Sequence, residues 1–355
     1  MADLIARTIQ KIGPLDARAM SRAKSRQDTL TKPEGSLGRL EELSIQLAGI
    51  QGSPQPRIKD KAVIVMVADH GVVSEGTSAY PQAVTAQMVL NFIQGGAAIN
   101  VLSRQIGARV IVVDIGIQGE TAHFPGIIHR KVAPGTGNMC QGPAMTPDQA
   151  VLAVETGIEI VDGEICQGLD IVGTGEMGIG NTTASSAICA AMTGRPVEEV
   201  TGRGTGLDDK QLRHKIKVIK KALEVNHPDP RSALDVLAKV GGLEIAGLAG
   251  VMLGAAARRV PVMVDGFISG AAALIAVGVC AGVREYLIPA HVSVEPGHIH
   301  LLKHLGLKPL MDLNLRLGEG TGAAAGIWLA EISCHILSEM ATFAEAGVSH
   351  KGEKQ

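Results

Sequence analysis

The chain has 355 residues, of which 46% are hydrophobic and 19% are charged, a composition that supports a large apolar core and excludes an intrinsically disordered protein. Its 33 Lys and Arg residues nearly balance 35 Asp and Glu residues, giving a formal net charge of -2. This balance provides no basic surface for nucleic acid or for an anionic membrane, so a small-molecule partner is favoured.

The cysteines and the N-terminus indicate a cytoplasmic protein. The chain has five cysteines, widely spaced and without a Cys-x-x-Cys pair, a pattern that argues against a disulfide framework and against a zinc knuckle. The first residues lack the basic region and apolar stretch of a signal peptide. The uncharged run from Gly266 to Val283 is about long enough to span a membrane. Because it is rich in Gly and Ala, we interpret it as a buried helix.

The first 55 residues are predicted to be helical. Apolar positions are scattered from Ala2 to Arg22, and leucines recur at three- and four-residue spacing from Leu37 to Leu47, which is typical of a helix with one buried face. After Lys61 the pattern changes to short apolar runs separated by helical stretches. The five clearest runs are Ala62 to Ala68, Val110 to Asp114, Asp170 to Val172, Val260 to Asp265 and Tyr286 to Ile288.

This alternation predicts an α/β fold with a doubly wound, Rossmann-like and mostly parallel sheet. Continuous apolar runs suit strands that are covered on both faces, and alternation with helices favours parallel pairing. We expect a catalytic α/β domain at residues 56–322 and a smaller helical domain formed by residues 1–55 and 323–355, with a helix from Ala323 to Phe343.

Ligands of such sheets bind beyond the carboxyl ends of the strands. The residues that directly follow the predicted strands should therefore converge on one rim. They are Asp69-His70-Gly71, Asp114 to Gly116, Gly173 to Gly180, Asp265-Gly266 and Ala290-His291.

A glycine-rich segment, Gly173 to Thr183, follows the third predicted strand and leads into a helix. Its glycines, Gly178 and Gly180 among them, allow backbone N–H groups to approach an anion, and the helix start adds a positive dipole and the hydroxyls of Thr182 and Thr183. A phosphate site is the favoured interpretation. A tight turn without a ligand is the second alternative. A dinucleotide site is the weakest, because that fingerprint needs an acidic residue about 20 residues on at the next strand end, and here the helix runs into the segment Thr193 to Val197 instead.

The segment Arg316-Leu-Gly-Glu-Gly-Thr-Gly322 places the carboxylate of Glu319 among three glycines. Backbone that crowds a carboxylate removes it from water, which raises its pKa and makes it a better base near neutral pH. From this motif alone, a catalytic base and a loop or helix-capping acid are equally supported. Glu176 has the same ambiguity, and its charge should face away from any bound phosphate.

Several histidines could be read as metal ligands. Asp69 and His70 end the first predicted strand, and further candidates occupy 291–304, but their spacing matches neither a zinc protease helix nor a zinc finger. Pro296-Gly297 should break a helix that would align these side chains. We therefore expect no metal, while a metal-dependent hydrolase that uses Asp69, His70, His291 and His298 remains an alternative.

Seven segments, in order along most of the chain, resemble the nicotinate-nucleotide:dimethylbenzimidazole phosphoribosyltransferase family of cobalamin lower-ligand assembly. Each segment alone is weak evidence, but the ordered set is specific. They are Lys32 to Glu41, Ala68 to Gly71, Gly95 to Ala98, Gly175 to Thr183, Val240 to Gly242, Val264 to Phe267 and Arg316 to Gly322.

The resemblance implies roles for individual residues and implies a homodimer whose site includes residues of the neighbouring subunit. Glu319 would be the catalytic base. The site for the aromatic base would be formed by Glu176, Tyr80, Met88, Met177 and Leu317, and the phosphoribosyl site by Gly178, Gly180, Asn181, Thr182, Thr183, Gly204, Lys215 and Asp265.

The implied substrates are nicotinate mononucleotide and 5,6-dimethylbenzimidazole, and the implied reaction needs no cofactor. The pyridinium nitrogen of the nucleotide leaves as a neutral heterocycle, so one carboxylate acting as a base is sufficient. A nucleotide-binding protein without catalytic turnover is a further alternative, which the presence of Glu319 and Lys215 argues against.

Overall fold

A computed structural model describes residues 3–349 and contains one six-stranded sheet. All neighbouring strands are parallel, in the order β3-β2-β1-β4-β5-β6, which confirms the predicted doubly wound α/β fold. The strands are β1 (Lys61–Ala68), β2 (Arg109–Gly116), β3 (Ile128–His129), β4 (Ile171–Met177), β5 (Val262–Val264) and β6 (Leu287–Pro289).

Fifteen α-helices lie in the described part of the chain, together with 3-10 helices at Gly71–Glu75 and Ala281–Tyr286. The first eight are α1 (Asp3–Ile9), α2 (Ala17–Thr29), α3 (Arg39–Gln51), α4 (Val84–Ile93), α5 (Ala98–Ile106), α6 (Pro147–Cys166), α7 (Asn181–Thr193) and α8 (Val197–Val200). The remaining seven are α9 (Asp209–Asn226), α10 (Ala233–Val240), α11 (Leu243–Ala257), α12 (Phe267–Val279), α13 (Pro296–Leu305), α14 (Thr321–Glu339) and α15 (Phe343–Ala346).

The strand order reverses direction between β1 and β4, which are the two central strands. Every residue of β1 is buried, and its Val65 pairs with Val112 of β2 on one side and with Gly175 of β4 on the other. A crevice opens at such a switch point, outside the carboxyl ends of the strands. The topology therefore places the segments after Ala68 and Met177 at the expected ligand position.

Helices α6 and α11 pack against each other through glycine. A Cβ atom placed on Gly157 of α6 would lie 1.9 Å from the carbonyl oxygen of Gly247 in α11, and one on Gly250 would lie 1.9 Å from that of Val154. Backbone therefore contacts backbone directly. Packing of this kind needs small residues and few large rings, in agreement with a sequence that has 44 glycines and only 2% aromatic residues.

The apolar run at Gly266 to Val283 forms the buried helix α12, as predicted, and continues into the second 3-10 helix. Of the helices within residues 3–349, none is both long enough and apolar enough to cross a membrane.

The terminal helices pack together at one side of the sheet. Ala23 of α2, Ala48 of α3 and Leu337 of α14 form a small apolar cluster separate from the main core, while α14 also packs on β4 and β5. The division into domains at residues 56–322, with 1–55 and 323–355 as a helical unit, stays a prediction, and residues 1, 2 and 350–355 of that unit lie outside the described residues.

Several predicted element boundaries were wrong. The strand predicted to end at Val172 continues to Met177, so half of the glycine-rich segment is strand because Gly175 pairs with β1. The helical segment from Ala2 to Arg22 is interrupted by a turn between α1 and α2. Strand β3 was not predicted, since its two residues carry no apolar run.

Candidate active site

A pocket opens at the carboxyl ends of β4, β5 and β6, and several predicted strand-end segments meet there. It has a cavity volume of about 90 Å³. Its walls are formed by five segments of the chain, around Glu176, Gly204, Asp265, His291 and Leu317. The lining residues are Glu176, Met177, Gly178, Ile179, Asn181, Thr182, Gly204, Thr205, Asp265, Gly266, Phe267, Ile268, Ser269, His291, Ser293, Glu295, Arg316, Leu317 and Gly318.

Glu176 is a pocket carboxylate near the end of β4. Its Oε2 accepts a short hydrogen bond from the Asn181 side chain, and the backbone N–H of Glu319 also donates to its carboxylate. Burial and the carboxylates of Glu244, Asp265 and Glu319 raise its pKa well above the ordinary value. A Cβ on Gly318 would lie 2.2 Å from Oε1 of Glu176, so glycine is required where these two segments meet.

Glu319 lies beside the pocket on a turn of unusual backbone geometry. Its φ is 62°, and the flanking Gly318 and Gly320 also have positive φ, at 85° and 91°. The side chain is only 5% exposed, and its Oε2 accepts a hydrogen bond of 3.3 Å from the backbone N–H of Ile99. Burial and, to a smaller extent, the Asp265 carboxylate raise the pKa of Glu319, although the Ile99 hydrogen bond opposes this shift.

The sequence left open whether Glu319 is a helix-capping residue. It does cap a helix, because the backbone N–H of Ile99, which donates to it, lies in the first turn of α5. The family-like segment Gly95 to Ala98 leads directly into this helix. Capping and catalysis are compatible here, since Oε1 of Glu319 has no hydrogen-bond donor within residues 3–349.

Asp265 follows β5 and accepts hydrogen bonds at the start of α14. The backbone N–H groups of Ala323 and Gly320 donate to it at 2.9 and 3.3 Å, and Nε2 of His291 lies 3.7 Å from its Oδ1. Burial raises the pKa of Asp265 to about 6, although His291 and the backbone donors oppose this shift. Asp265 therefore fixes the turn that carries Glu319.

Lys215 of α9 is completely buried next to the other end of the pocket. Its Nζ donates to Thr182 Oγ1 at 2.8 Å and to the Gly202 carbonyl at 3.4 Å. Burial lowers its pKa to about 8, against the opposing effect of the Glu295 carboxylate. The backbone N–H of Gly204 donates to Glu295 Oε1 at 2.8 Å, so a cation, a carboxylate and backbone donors meet at this point.

The start of helix α7 lies next to the Lys215 ammonium, which donates to Thr182. Asn181 and Thr182 open the helix and line the pocket, directly after Gly180, which has a φ of 96°. Thr183 is fully buried with no partner for its hydroxyl among the described residues. The N-terminal dipole of α7 and the Lys215 ammonium favour an anion, while the carboxylates of Glu176 and Glu295 line the same pocket.

The structure separates the residues predicted for the aromatic base. Met177 and Leu317 line the pocket, whereas Tyr80, which is 51% exposed, and Met88, which is half-buried on α4, are absent from its lining. Their role in base binding stays a prediction.

The proposed metal ligands are engaged in other contacts. Nε2 of His70 lies 2.6 Å from Glu244, and Nδ1 of His298 accepts a hydrogen bond of 2.8 Å from the backbone of Ser293. No group of three or more His, Cys, Asp or Glu side chains in residues 3–349 is arranged to hold a metal ion. Pro296 begins α13, where its missing N–H is not needed. No single helix therefore aligns all five candidates at 291–304, as predicted, since His291 and Glu295 lie before α13.

Sequence reasoning missed Glu244 and Glu295. Glu244 lies two residues after Gly242, the end of one segment that carries the family resemblance, and Glu295 was considered only within a histidine cluster. Glu244 follows two glycines and Glu295 precedes a proline. Such neighbours are only a weak indication of a functional carboxylate. Their contacts with His70 and Gly204 join positions 174 and 91 residues apart.

A family model described as phosphoribosyltransferase matches residues 12–348. This match over nearly the whole chain makes the protein a phosphoribosyltransferase, which is a class of pentosyl-transferring enzyme. Among curated proteins, those named nicotinate-nucleotide–dimethylbenzimidazole phosphoribosyltransferase are similar over nearly the full length. The relative from Desulforudis audaxviator is 59% identical, covering 98% of both chains, and that from a Roseiflexus species is 61% identical, covering 99% of both.

A crystal structure of the enzyme of that name from Thermus thermophilus is similar in fold, with a TM-score of 0.89 and 47% identity over 95% of this chain and 100% of the other. The chain therefore belongs to the nicotinate-nucleotide–dimethylbenzimidazole phosphoribosyltransferase family, as its ordered sequence segments predicted.

Proposed function

We propose that the protein transfers the phosphoribosyl group of nicotinate mononucleotide to 5,6-dimethylbenzimidazole, giving α-ribazole 5'-phosphate and nicotinate for cobalamin biosynthesis. The observation that carries this proposal is a buried carboxylate pair, Glu176 and Glu319, beside an anion-binding region around Lys215. The names of the relatives support the choice of substrates.

The leaving group of nicotinate mononucleotide departs without help from an acid or a cofactor. The bond between C1' of ribose and the pyridinium nitrogen breaks, and its electrons neutralise the departing nicotinate ring. A nitrogen lone pair of the benzimidazole forms the new bond at C1', on the opposite face of an oxocarbenium-like ribose. A single inversion converts the β-nucleotide into the α-riboside. No general acid and no cofactor is needed for these steps.

Glu319 is proposed as the general base. After attack, the benzimidazole must lose the proton of its other nitrogen, and a carboxylate that accepts this N–H both orients the ring and takes the proton. Its Oε1, which has no hydrogen-bond donor among residues 3–349, and its raised pKa support this role. Glu176, which lines the pocket directly, is proposed as the second carboxylate of the aromatic-base site, with Met177, Leu317, Tyr80 and Met88.

The phosphoribosyl group is proposed to lie toward Lys215 and the start of α7. The Lys215 ammonium, which bonds to Thr182, and the N-terminal dipole of α7 favour the phosphate. Gly178, Gly180, Asn181, Thr183, Gly204 and Asp265 complete the proposed set. Of these, Gly178, Asn181, Gly204 and Asp265 line the pocket.

We also propose that the protein acts as a homodimer. A cavity of about 90 Å³ is small, since small-molecule sites are typically of about 300–1,000 Å³, so a neighbouring subunit could complete the enclosure. Leu317 at the pocket and Trp328 on α14 are 58% and 54% exposed, which favours a covered surface. Sedimentation at several concentrations tests this proposal, and a concentration-independent monomer would contradict it.

The proposed reaction is tested by incubating the protein with nicotinate mononucleotide and a panel of benzimidazoles, purines and phenols. We expect mass spectrometry to detect α-ribazole 5'-phosphate with equimolar nicotinate. Release of nicotinate without any riboside of the added base would instead indicate a hydrolase. Nicotinamide mononucleotide in a parallel reaction shows whether the donor carboxylate is required.

A further inference from the structure

The segment from His291 to Glu295 lines the pocket and has no role in the proposed mechanism. It begins two residues after β6, and its His291, Ser293 and Glu295 are all buried residues of the pocket wall. Nδ1 of His291 and Oε2 of Glu295 are buried and have no hydrogen-bond partner within residues 3–349. Because a buried polar atom without a partner is costly, these two atoms indicate that a polar ligand completes the site.

Glu295 is fixed at the end of the pocket where the phosphate is proposed to bind. Its Oε1 accepts a hydrogen bond of 2.8 Å from the backbone N–H of Gly204. A Cβ on Gly204 would lie 3.0 Å from Oγ1 of Thr182 and 3.5 Å from Nζ of Lys215. A Cβ on Gly202 would lie 2.0 Å from Oε2 of Glu295, so glycine is required there. The carboxylate is therefore held against the turn that also contacts Lys215.

The other end of the segment contacts the residues that fix the proposed base. Nε2 of His291 lies 3.7 Å from Oδ1 of Asp265. Asp265 in turn accepts a hydrogen bond of 3.3 Å from the backbone N–H of Gly320, which directly follows Glu319. The segment therefore connects the turn that carries Glu319 with the turn next to Lys215.

The ribose is the part of the nucleotide that joins these two regions. Its C5' carries the phosphate and its C1' is the carbon under attack, so a donor bound across the pocket places the sugar between Lys215 and Glu319. Its 2' and 3' hydroxyls have no assigned partner in the proposed mechanism. An ionised carboxylate accepts hydrogen bonds and does not donate them, so Oε2 of Glu295 suits a hydroxyl and would repel a phosphate.

We propose that Glu295 binds a 2' or 3' hydroxyl of the ribose and makes the enzyme specific for ribosyl over deoxyribosyl donors. This inference rests on the proposed function and adds a specificity-determining residue to it. Acidic residues bind ribose hydroxyls in this way in dinucleotide sites. Because Gly204 holds the carboxylate in place, Oε2 is positioned before the substrate binds, and a donor without the hydroxyl leaves this buried oxygen unpaired.

The test compares nicotinate mononucleotide with its 2'-deoxy and 3'-deoxy analogues as donors to 5,6-dimethylbenzimidazole. We expect the wild type to prefer the ribosyl donor in kcat/KM over at least one analogue. Glu295→Ala should reduce that preference by about 10- to 100-fold, the usual contribution of a hydrogen bond to a charged group. Differences in the intrinsic reactivity of the donors are the same for both proteins and cancel in the comparison.

A merely structural Glu295 would give a different result. If it only anchors Gly204, its loss slows all donors by the same factor, and an unchanged preference in a folded variant overturns the proposal. Glu295→Gln, which keeps the size and an acceptor for Gly204, serves if the alanine variant does not fold, and its preference should also fall because the charged acceptor is lost.

The matched control is Asp170→Ala. Asp170 also anchors a turn, since its carboxylate accepts hydrogen bonds from the backbone N–H groups of Lys59 and Asp60 at 2.7 and 2.9 Å. It precedes β4 and thus lies at the opposite end of that strand from the pocket. The control should keep the wild-type preference, and a loss of preference equal to that of Glu295→Ala would overturn the proposal.

A binding measurement separates this inference from the proposed function. Calorimetry with ribose 5-phosphate and with its 2-deoxy and 3-deoxy forms requires no transfer reaction. A wild type that binds all three sugars equally overturns the inference, even if the enzyme makes the riboside. Preferential binding of ribose 5-phosphate that is lost in Glu295→Ala, without transfer to any base, contradicts only the proposed function.

Discussion

Glu319 is tied to Ile99 by a hydrogen bond between its carboxylate and a backbone N–H group 220 residues earlier in the chain. The contact orients one oxygen of the side chain toward the start of helix α5. It therefore fixes the direction of the other oxygen as well, and a fixed carboxylate is what a base needs when it must both align a ring and accept a proton.

Replacing Glu319 with Gln should lower kcat by about 10²- to 10⁴-fold, which is the usual contribution of a general base. The amide keeps the size of the side chain and can still accept the Ile99 hydrogen bond, so folding should be unchanged. Steady-state kinetics and thermal unfolding check this prediction. The matched control is Glu339→Gln, at an exposed position of α14.

If Glu176→Gln costs more in kcat than Glu319→Gln, the roles of the two carboxylates are reversed. A Glu319→Gln variant with near-wild-type rate would exclude Glu319 as the base.

The acid limb of the rate profile should lie above the ordinary pKa of glutamate. Burial raises the pKa of Glu319, and the base is active only when ionised, so kcat should fall as pH falls through this raised value. The limb should disappear in Glu319→Gln. Asp265, with a pKa of about 6, is the other candidate group, and a limb that persists in Glu319→Gln would be assigned to it.

Replacing Lys215 with Met should raise the KM for nicotinate mononucleotide by about 10- to 100-fold, because a hydrogen bond to a charged group contributes about 1.5–3 kcal/mol. The KM for the benzimidazole should change little. In the wild type, the KM for the nucleotide should rise as pH increases past about 8, where Lys215 loses its charge.

Lys217→Met is the control, since Lys217 is exposed on the same helix. Equal effects of the two substitutions on the KM for the nucleotide would show that Lys215 makes no specific contact with the phosphate.

Substitution of glycine in α6 should have opposite effects at two positions. Gly157→Ala places a Cβ 1.9 Å from the Gly247 backbone and should destabilise the protein by about 1–3 kcal/mol. Gly163→Ala meets no atom within 4 Å and should be stabilising by about 0.5–1 kcal/mol. Denaturant unfolding measures both, and a neutral Gly157→Ala would contradict the close packing of α6 on α11.

Five of the six strands could be predicted because they contain continuous apolar runs such as Ala62 to Ala68. The length of β4 could not, since Gly173 and Gly175 read as loop residues. They are strand because they pair with Val63 and Val65 of β1, and glycine is needed at position 175 because a Cβ there would lie 2.4 Å from the carbonyl oxygen of Glu319. A contact between distant segments decided what the local pattern did not.

The parts of the site that lie in a recognisable local segment could be predicted, and the parts that depend on contacts between remote residues could not. Glu319 and the start of α7 lie within glycine-rich segments that are visible in the sequence. Glu244 and Glu295 became relevant only through His70 and Gly204, which are remote in sequence. The Lys32 to Glu41 segment, which also carried the family resemblance, is held by a buried ion pair of 2.8 Å between its two ends and does not line the pocket.

The left-handed backbone at Glu319 has an evolutionary consequence. A residue with a side chain in this conformation costs about 1–2 kcal/mol relative to its ordinary geometry, whereas glycine adopts it freely. Selection for folding alone would therefore replace Glu319 with glycine and leave Gly318 and Gly320 beside a third glycine. A descendant that no longer needs the proposed base should drift in that direction, so a glycine at this position in a related chain would mark a protein without transferase activity.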